Sequence, residues 1–288
     1  FDALVATKQC VLSIPTVELA KQMVGIGNCS GKKVDKFKKF KLTPLPAAVG
    51  GLTAHYRDIA SCAAAIAAIM AQPALPSALE FLDQASLKLI RARHPGLLPE
   101  ETQALLMIEV DGAASEVQAN AEAIRAACAN DGLISAELAP DLKALWAARK
   151  ALSPLLRDIA PKKINEDVVV PVSRLPELLQ GLAELSAKYG VANANFGHAG
   201  NGNMHVNLLV NPDDPDQMQR AEDCLDEIFT LVLRLNGTLS GEHGVGREKR
   251  PFVAREIDPV TLQLMRDIKQ VFDPNNILNP GKLFPERK

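Results

Sequence analysis

The sequence predicts an α+β fold: a mainly antiparallel sheet with helices on one face, assembled from two similar halves and followed by a C-terminal helical segment. Three observations predict it. Segments of strand length and of helix length follow one another as β-α-β-β-α, and that order then recurs. Glycine, asparagine and proline punctuate the joins between them. Hydrophobic residues make up 47% of the 288 positions, enough for a substantial core, but aromatics are only 4%, so that core must rest on Ala, Leu, Val and Ile. Each half reads as a ferredoxin-like, split β-α-β unit. Two such units leave the opposite face of the sheet free to cover something.

Residues 1–40 are the hardest to place. Leu19–Met23 has helical spacing, and Gly25–Gly31 is glycine-rich but lacks the strand–turn–helix context of a dinucleotide loop. Phe40-Lys41-Leu42 reads as a strand ending at Pro44-Leu45-Pro46. Then come a strand over Val49–His55, a helix over Asp58–Met70, a short strand over Ala78–Leu82 and a strongly apolar one over Ala104–Val110. A helix follows over Ser115–Asn130, stopped by Asp131-Gly132, then a strand over Gly132–Glu137 and a helix over Pro140–Leu152 carrying Trp146 and Arg149. The second half repeats the order: strand Asp167–Val172, helix Leu175–Lys188 closed by Gly190, paired strands Asn193–Phe196 and His205–Val210, and helix Pro215–Leu235 stopped by Asn236-Gly237. A helix over Pro259–Phe272 ends at Asp273-Pro274. Residues 275–284 hold too many turn formers for a helix and too many apolar residues for a free tail, so they are expected to dock.

Composition excludes several classes. A net charge of −2 gives no nucleic-acid footprint, and the lysine cluster from Lys32 to Lys41 reads as a solvated surface. The five cysteines are scattered with no C-x-x-C pair, which argues against a zinc ribbon or iron–sulphur site and fits reduced thiols in a cytoplasmic protein, or one peripheral to the membrane. The longest apolar run, Cys62–Ala71, is far short of the roughly 20 residues of a membrane span.

Chemistry concentrates in two stretches. Asn195–Asn207 reads N-F-G-H-A-G-N-G-N-M-H-V-N. Asn201-Gly202 suggests a two-residue type I′ hairpin turn, which would set His198 directly opposite His205. Opposed residues have Cβ atoms about 5 Å apart, a workable separation for two imidazoles on one metal ion. Asn207 points to the same face. The alternative is a turn with polar neighbours and no ligand. In S-G-E-H-G-V-G-R-E-K-R (240–250), Glu242 and His243 point in opposite directions along an extended backbone, so one can serve a metal while the other faces a substrate. Glu242 with His198 and His205 makes a two-His, one-carboxylate set that suits zinc, and equally manganese or iron. Arg149 is either a solvated charge or a guanidinium forked onto a carboxylate. His55 and His94 have no such context and read as surface or satisfied core residues.

G-H-A-G-N-G-N-M-H-V-N, then G-E-H-G-V-G, then D-P-N-N-I-L-N-P-G-K-L-F, in that order, resemble the C-terminal half of the FAD-linked 2-hydroxyacid oxidases and dehydrogenases, a vanillyl-alcohol oxidase-like group. That group includes the D subunit of glycolate oxidase, D-lactate dehydrogenase and D-2-hydroxyglutarate dehydrogenase. Leu145-Trp146…Arg149 and Glu166–Pro171 fit the same pattern, and the resemblance runs over residues 40–288. It implies a metal held by His198, His205 and Glu242, His243 as general base, Arg149 on the substrate carboxylate, Asn207 beside substrate and metal, and FAD contacts from Asn279 and Lys282. It implies oxidation of a small D-2-hydroxy acid to the 2-oxo acid by hydride transfer to flavin, with an iron–sulphur, cytochrome or electron-transfer flavoprotein acceptor. Under this reading residues 1–40 are a leader or a remnant of an upstream flavin domain, 41–237 the cap and substrate domain, and 238–288 a segment returning to the flavin domain. The FAD diphosphate-binding domain itself is expected to be missing, leaving the isolated chain inactive. Position 201 departs from the pattern, with Asn where many relatives have Asp. A non-catalytic α+β module binding a partner or metabolite is the alternative; a His2Glu hydrolase is the weaker third reading, because no nucleophile or second acid lies beside the ligands.

Overall fold

The computed structural model of the chain describes residues 36–39, 48–139 and 143–285. The expected helix over Leu19–Met23, the glycine-rich Gly25–Gly31 and the expected strand at Phe40-Lys41-Leu42 lie outside the described residues, as does the start of the helix expected from Pro140. Seven strands, β1 (Ala48–Tyr56), β2 (Ala78–Leu82), β3 (Ala104–Gly112), β4 (Leu133–Ala139), β5 (Lys162–Val169), β6 (Asn193–His198) and β7 (Asn203–Val210), form one sheet. Its order is β4-β1-β3-β2-β6-β7-β5, and every neighbouring pair is antiparallel.

The strand order displays the duplication. β4-β1-β3-β2 is a complete four-stranded ferredoxin-like unit, and β6-β7-β5 is a second unit with three strands. The units join where β2 pairs β6, with Glu80 opposite His198, Phe81 opposite Gly197 and Leu82 opposite Phe196. The place beside β5 that a fourth strand would fill holds a single bridge, Val169 to Thr238. After that bridge the chain leaves the sheet, which frees residues 240–246 to lie elsewhere.

Seven helices of ten residues or more among the described residues complete the architecture: α1 (Ile59–Ala71), α2 (Gln84–Arg93), α3 (Ala114–Ala127), α4 (Lys143–Leu155), α5 (Leu175–Tyr189), α6 (Pro215–Arg234) and α7 (Pro259–Phe272), with shorter helices and turns between. Asp58, Asp83, Asp214 and Asp258 cap α1, α2, α6 and α7 through side-chain oxygens that accept backbone N–H groups, and α5 ends on left-handed Gly190. Helices α1, α3, α5 and α6 cover one sheet face. Ile66, Ile69, Ile124, Leu178, Leu182, Ile228 and Phe229 pack there against Leu52, Tyr56, Phe81, Leu106 and Val206. Tyr56 takes its hydroxyl into that core and donates to the Cys128 carbonyl at 2.9 Å.

The second face is not bare. Helix α2, which the sequence reading did not foresee, and α4 pack Leu87, Ile90, Ala148 and Leu152 onto Leu82, Leu105, Met107, Ala194, Phe196 and Leu209. The α2 segment was missed because its residues, Q-A-S-L-K-L-I-R-A-R, carry a short apolar stripe between exposed charges; the cap at Asp83 is the signal that marks its start. Strand β5 also starts earlier than expected, at Lys162, and ends at Val169 rather than Val172. Beyond β4, β1, β3 and the two helices, the remainder of this second face is where the polar residues gather.

Candidate metal centre

The hairpin between β6 and β7 differs from the expected two-residue turn. Residues Ala199–Asn201 form a 3-10 turn, and only Gly202 is left-handed, at φ 72°. The register is therefore shifted by two: His198 faces Asn203, and His205 faces Phe196. An even shift preserves side-chain direction, so the predicted opposition fails while the shared face survives. The two imidazole centroids are 5.5 Å apart, nearly edge to face.

Strand alternation brings Glu80, Phe196, His198, Asn203, His205, Asn207 and Asp167 onto this one face. Glu242 arrives from the loop that replaces the missing fourth strand. Its Oε1 lies 3.6 Å from His198 Nε2 and 3.4 Å from His205 Nε2. One atom from each of the three residues falls within 4.8 Å of the others. Both imidazoles aim Nε2 at the same carboxylate oxygen, as ligands of a shared ion do, so the donor set fits a divalent metal bound by two nitrogens and a carboxylate.

Two buried carboxylates that carried no role in the sequence reading organise these ligands. Glu80, 3% exposed, accepts from His198 Nδ1 through one oxygen and from Arg149 Nε at 2.9 Å through the other. The Nδ1 bond leaves Nε2 of His198 to face the centre. Burial pushes the Glu80 carboxyl upward, but the His198 hydrogen bond and the Arg149 charge outweigh it and hold the pKa below the ordinary value. Asp167, fully buried and opposite His205 on β5, accepts the backbone N–H groups of Glu242 and His243. Lys249, also buried, donates to the Asp167 carboxylate and, at 2.7 Å, to its carbonyl, and stands 3.4 Å from Glu166. Burial raises the Asp167 pKa, and the lysine with the two backbone donors reverses it to a net lowering. Gly241 passes so close over Asn203 that a Cβ there would sit 2.8 Å from its Oδ1. The signal for Glu80 was present, an acidic residue inside the otherwise apolar strand A-L-E-F-L, whereas Asp167 follows Asn165 and Glu166 in K-K-I-N-E-D-V-V and does not stand out.

The protonation states follow the surroundings. Burial lowers the His205 pKa to about 4, helped by the charges of Arg149, His243 and His198, so this imidazole is neutral near pH 7. His198 shifts the other way, raised by its hydrogen bond to Glu80 against the effect of burial. His243 stacks on His205 with centroids 5.1 Å apart and is half-exposed. Arg149 on α4 lies over the Phe196 ring, its guanidinium carbon 4.4 Å from the centroid, and its Nη groups make no hydrogen bond among the described residues. Trp146, one turn earlier, fixes the helix by donating to Glu109 at 2.6 Å.

The fold brings His198, His205, Glu242 and His243 together, with Arg149 joined to His198 through Glu80. Asn207 lies on the same face but is fully buried. It accepts from Asn165 and donates to the carbonyls of Ala194 and His205, which uses its amide within the sheet. Asn279 and Lys282 line a cleft of about 460 Å³ with Gly246, Lys269, Leu278 and Leu283, none of them a residue of the histidine cluster. The segment they belong to is a succession of turns rather than a strand, and it docks through Leu283 N–H on Gly246 and Arg250 on the Gly281 carbonyl. His55 is a satisfied core residue, hydrogen-bonded to Thr102, and His94 caps α2 at the surface. No helix among the described residues is long and apolar enough to cross a membrane.

Comparison with known proteins agrees with this architecture. Residues 45–283 match the family described as FAD linked oxidases, C-terminal domain. The glycolate oxidase subunit GlcD of Bacillus subtilis is 36% identical over 247 residues, covering 85% of this chain and 53% of that protein. A D-lactate dehydrogenase of Anaerostipes hadrus is 29% identical over 255 residues, covering 84% of the chain and 54% of the relative. The chain therefore spans about half the length of these relatives. Among solved structures, 4-ethylphenol oxidase from Gulosibacter chungangensis superposes with a TM-score of 0.64 at 19% identity, over 85% of this chain and 56% of that one, a likeness of fold. With residues 45–283, about five-sixths of its length, matched to the family model, the chain belongs to the FAD linked oxidases, of which it carries the C-terminal domain.

Proposed function

We propose that this chain is the substrate- and metal-binding part of an FAD-dependent oxidoreductase that oxidises a D-2-hydroxy acid of the glycolate, D-lactate or D-2-hydroxyglutarate class to the 2-oxo acid. The observation that carries the reading is the convergence of His198, His205 and Glu242 within 4.8 Å beside the stacked His243 and the guanidinium of Arg149. A hydroxy acid presents a carboxylate and an adjacent hydroxyl, and the centre offers a complementary group for each.

Arg149 binds the carboxylate through its Nη groups, its Nε being held by Glu80. His243 takes the hydroxyl proton; histidine is the side chain whose ordinary pKa lies nearest neutrality. His198, His205 and Glu242 hold a divalent cation, zinc by donor preference and manganese or iron by the same ligands. When bound, that cation supplies Lewis acidity toward the 2-hydroxyl oxygen, and FAD supplies the hydride acceptor. Phe196 and the helices of the second sheet face exclude water from the inner side of the site.

The flavin would be held mainly by residues outside this chain, in keeping with its span of about half the relatives' length. The apolar stripe of α7, with Val260, Leu264, Ile268, Val271 and Phe272 all exposed, is the kind of surface against which such a domain packs. Electrons would pass on to an iron–sulphur, cytochrome or electron-transfer flavoprotein acceptor.

The test has two parts. The purified chain should take up one equivalent of zinc, and a His198→Ala, His205→Ala double variant should take up none; equal content in both removes the metal centre. In the longer polypeptide that holds FAD, glycolate, D-lactate or D-2-hydroxyglutarate should bleach the flavin, and His243→Asn should abolish bleaching while leaving zinc content unchanged. A flavin indifferent to all three acids removes the substrate class.

A further inference from the structure

We propose that Glu80 is a positioning residue that couples the metal centre to the substrate arginine: ordering His198 and aiming Arg149 are a single act of one buried carboxylate. The inference rests on the metal reading above and extends it. Glu80 is the one polar residue of β2, in A-L-E-F-L, and is 3% exposed. Such burial is tolerated when both oxygens find charged or strongly donating partners. Here one oxygen takes Nδ1 of His198 from the neighbouring strand, and the other takes Nε of Arg149 from α4 at 2.9 Å.

The placement is specific to the fold. Glu80 belongs to the first ferredoxin-like unit, whereas all three metal ligands belong to the second. The seam pairing of β2 with β6 brings Glu80 directly opposite His198. Arg149 lies over Phe196 and is held at Nε, which leaves its Nη groups for another partner. An imidazole that ligates a cation through Nε2 becomes a stronger donor at Nδ1 and draws the carboxylate toward itself. The same carboxylate is the only hydrogen-bonding partner of the guanidinium among the described residues. Occupation of the centre and orientation of Arg149 are therefore linked, and linkage is reciprocal.

The experiment uses the 15N-labelled chain. Zinc affinity is measured by competition with a chromophoric chelator, and the Arg149 Nε–H resonance, identified by its loss in Arg149→Lys, is followed during zinc loading. In the parent chain the resonance should move in step with zinc occupancy, a result that needs no variant. Glu80→Gln should weaken zinc binding about 10–100-fold and leave the Arg149 resonance where it started. Glu109→Gln, which loosens α4 at Trp146 without touching His198, should keep the parent affinity. Zinc bound by the parent without movement of the Arg149 resonance, or a Glu80→Gln affinity within about twofold of the parent, overturns the coupling and leaves the metal centre standing. No zinc binding by the parent overturns both.

Discussion

Asp167 stands directly opposite His205 in the β5–β7 ladder, and its carboxylate reaches past the ladder to the backbone N–H groups of Glu242 and His243. One strand pair thus presents His205 and also pins the loop that delivers Glu242 and His243. The loop needs that pin, since it is tied to the sheet by a single bridge at Thr238 before it crosses the site.

Replacing Lys249 by Met should expose the weight of this arrangement. Asp167 and Glu166 would remain buried without their cation, a loss of about 3–5 kcal/mol. Urea unfolding of the metal-free chain measures it, and zinc affinity should fall in the same variant because Glu242 is no longer fixed. Parent-like stability would show that the pair is not what holds the loop.

The turn before β7 has little room. Gly202 has φ 72°, and a Cβ there would lie 1.9 Å from the Val170 carbonyl oxygen, whose own N–H donates to Gly202. Gly202→Ala should destabilise the chain by roughly 2–3 kcal/mol and displace His205 enough to weaken zinc binding. Thermal unfolding with and without zinc separates the two effects.

The two histidines predict opposite pH signatures. His205 has a folded pKa of about 4, below the ordinary 6.5, so its contribution to stability is present above pH 6.5 and is lost as the pH falls through 6.5 toward 4. His198, raised by Glu80, contributes stability that is present below 6.5 and is lost as the pH rises through its raised value. Zinc must displace the His198 proton and meets no proton on His205 until the pH nears 4. Affinity should therefore drop by about one decade per pH unit below the His198 pKa and level off above it. A slope near two would mean that both imidazoles start protonated.

Arg149→Lys keeps the charge and loses both the fork and the guanidinium contact with the Phe196 ring. In the longer flavin-bearing polypeptide it should raise KM for the hydroxy acid by about 10–100-fold, the size of a charged hydrogen bond, with zinc content unchanged. An unchanged KM would take Arg149 out of substrate binding.

Much of this was legible in the residues themselves. Alternation and punctuation located the seven strands, and the glycine- and histidine-rich stretches held His198, His205, Glu242 and His243, which the fold brings together. What stayed hidden depended on pairing at a distance. Nothing in A-L-E-F-L says that Glu80 will meet a histidine 118 positions later, because that contact exists only once β2 and β6 form the seam. Asp167 lay inside a recognised stretch, yet its partners Glu242, His243 and Lys249 are assembled by the loop's return. The hairpin register was misread for a local reason. Asn-Gly favours a two-residue turn, but here Ala199–Asn201 wind into a 3-10 turn and Gly202 alone supplies the positive φ.

Because corresponding strands of the two units pair antiparallel at the seam, an approximate dyad passes through Phe81 and Gly197. Under it Leu82 is the counterpart of His198, and Glu80 the counterpart of Phe196. The two units are unequal: the first carries β4 as its edge strand, whereas the second has only the Val169–Thr238 bridge in that place, and the cluster of His198, His205 and Glu242 lies on the second. A histidine at Leu82 would not create a twin centre, for that position is packed among Leu87, Leu105 and Met107 instead of facing a loop that carries a carboxylate.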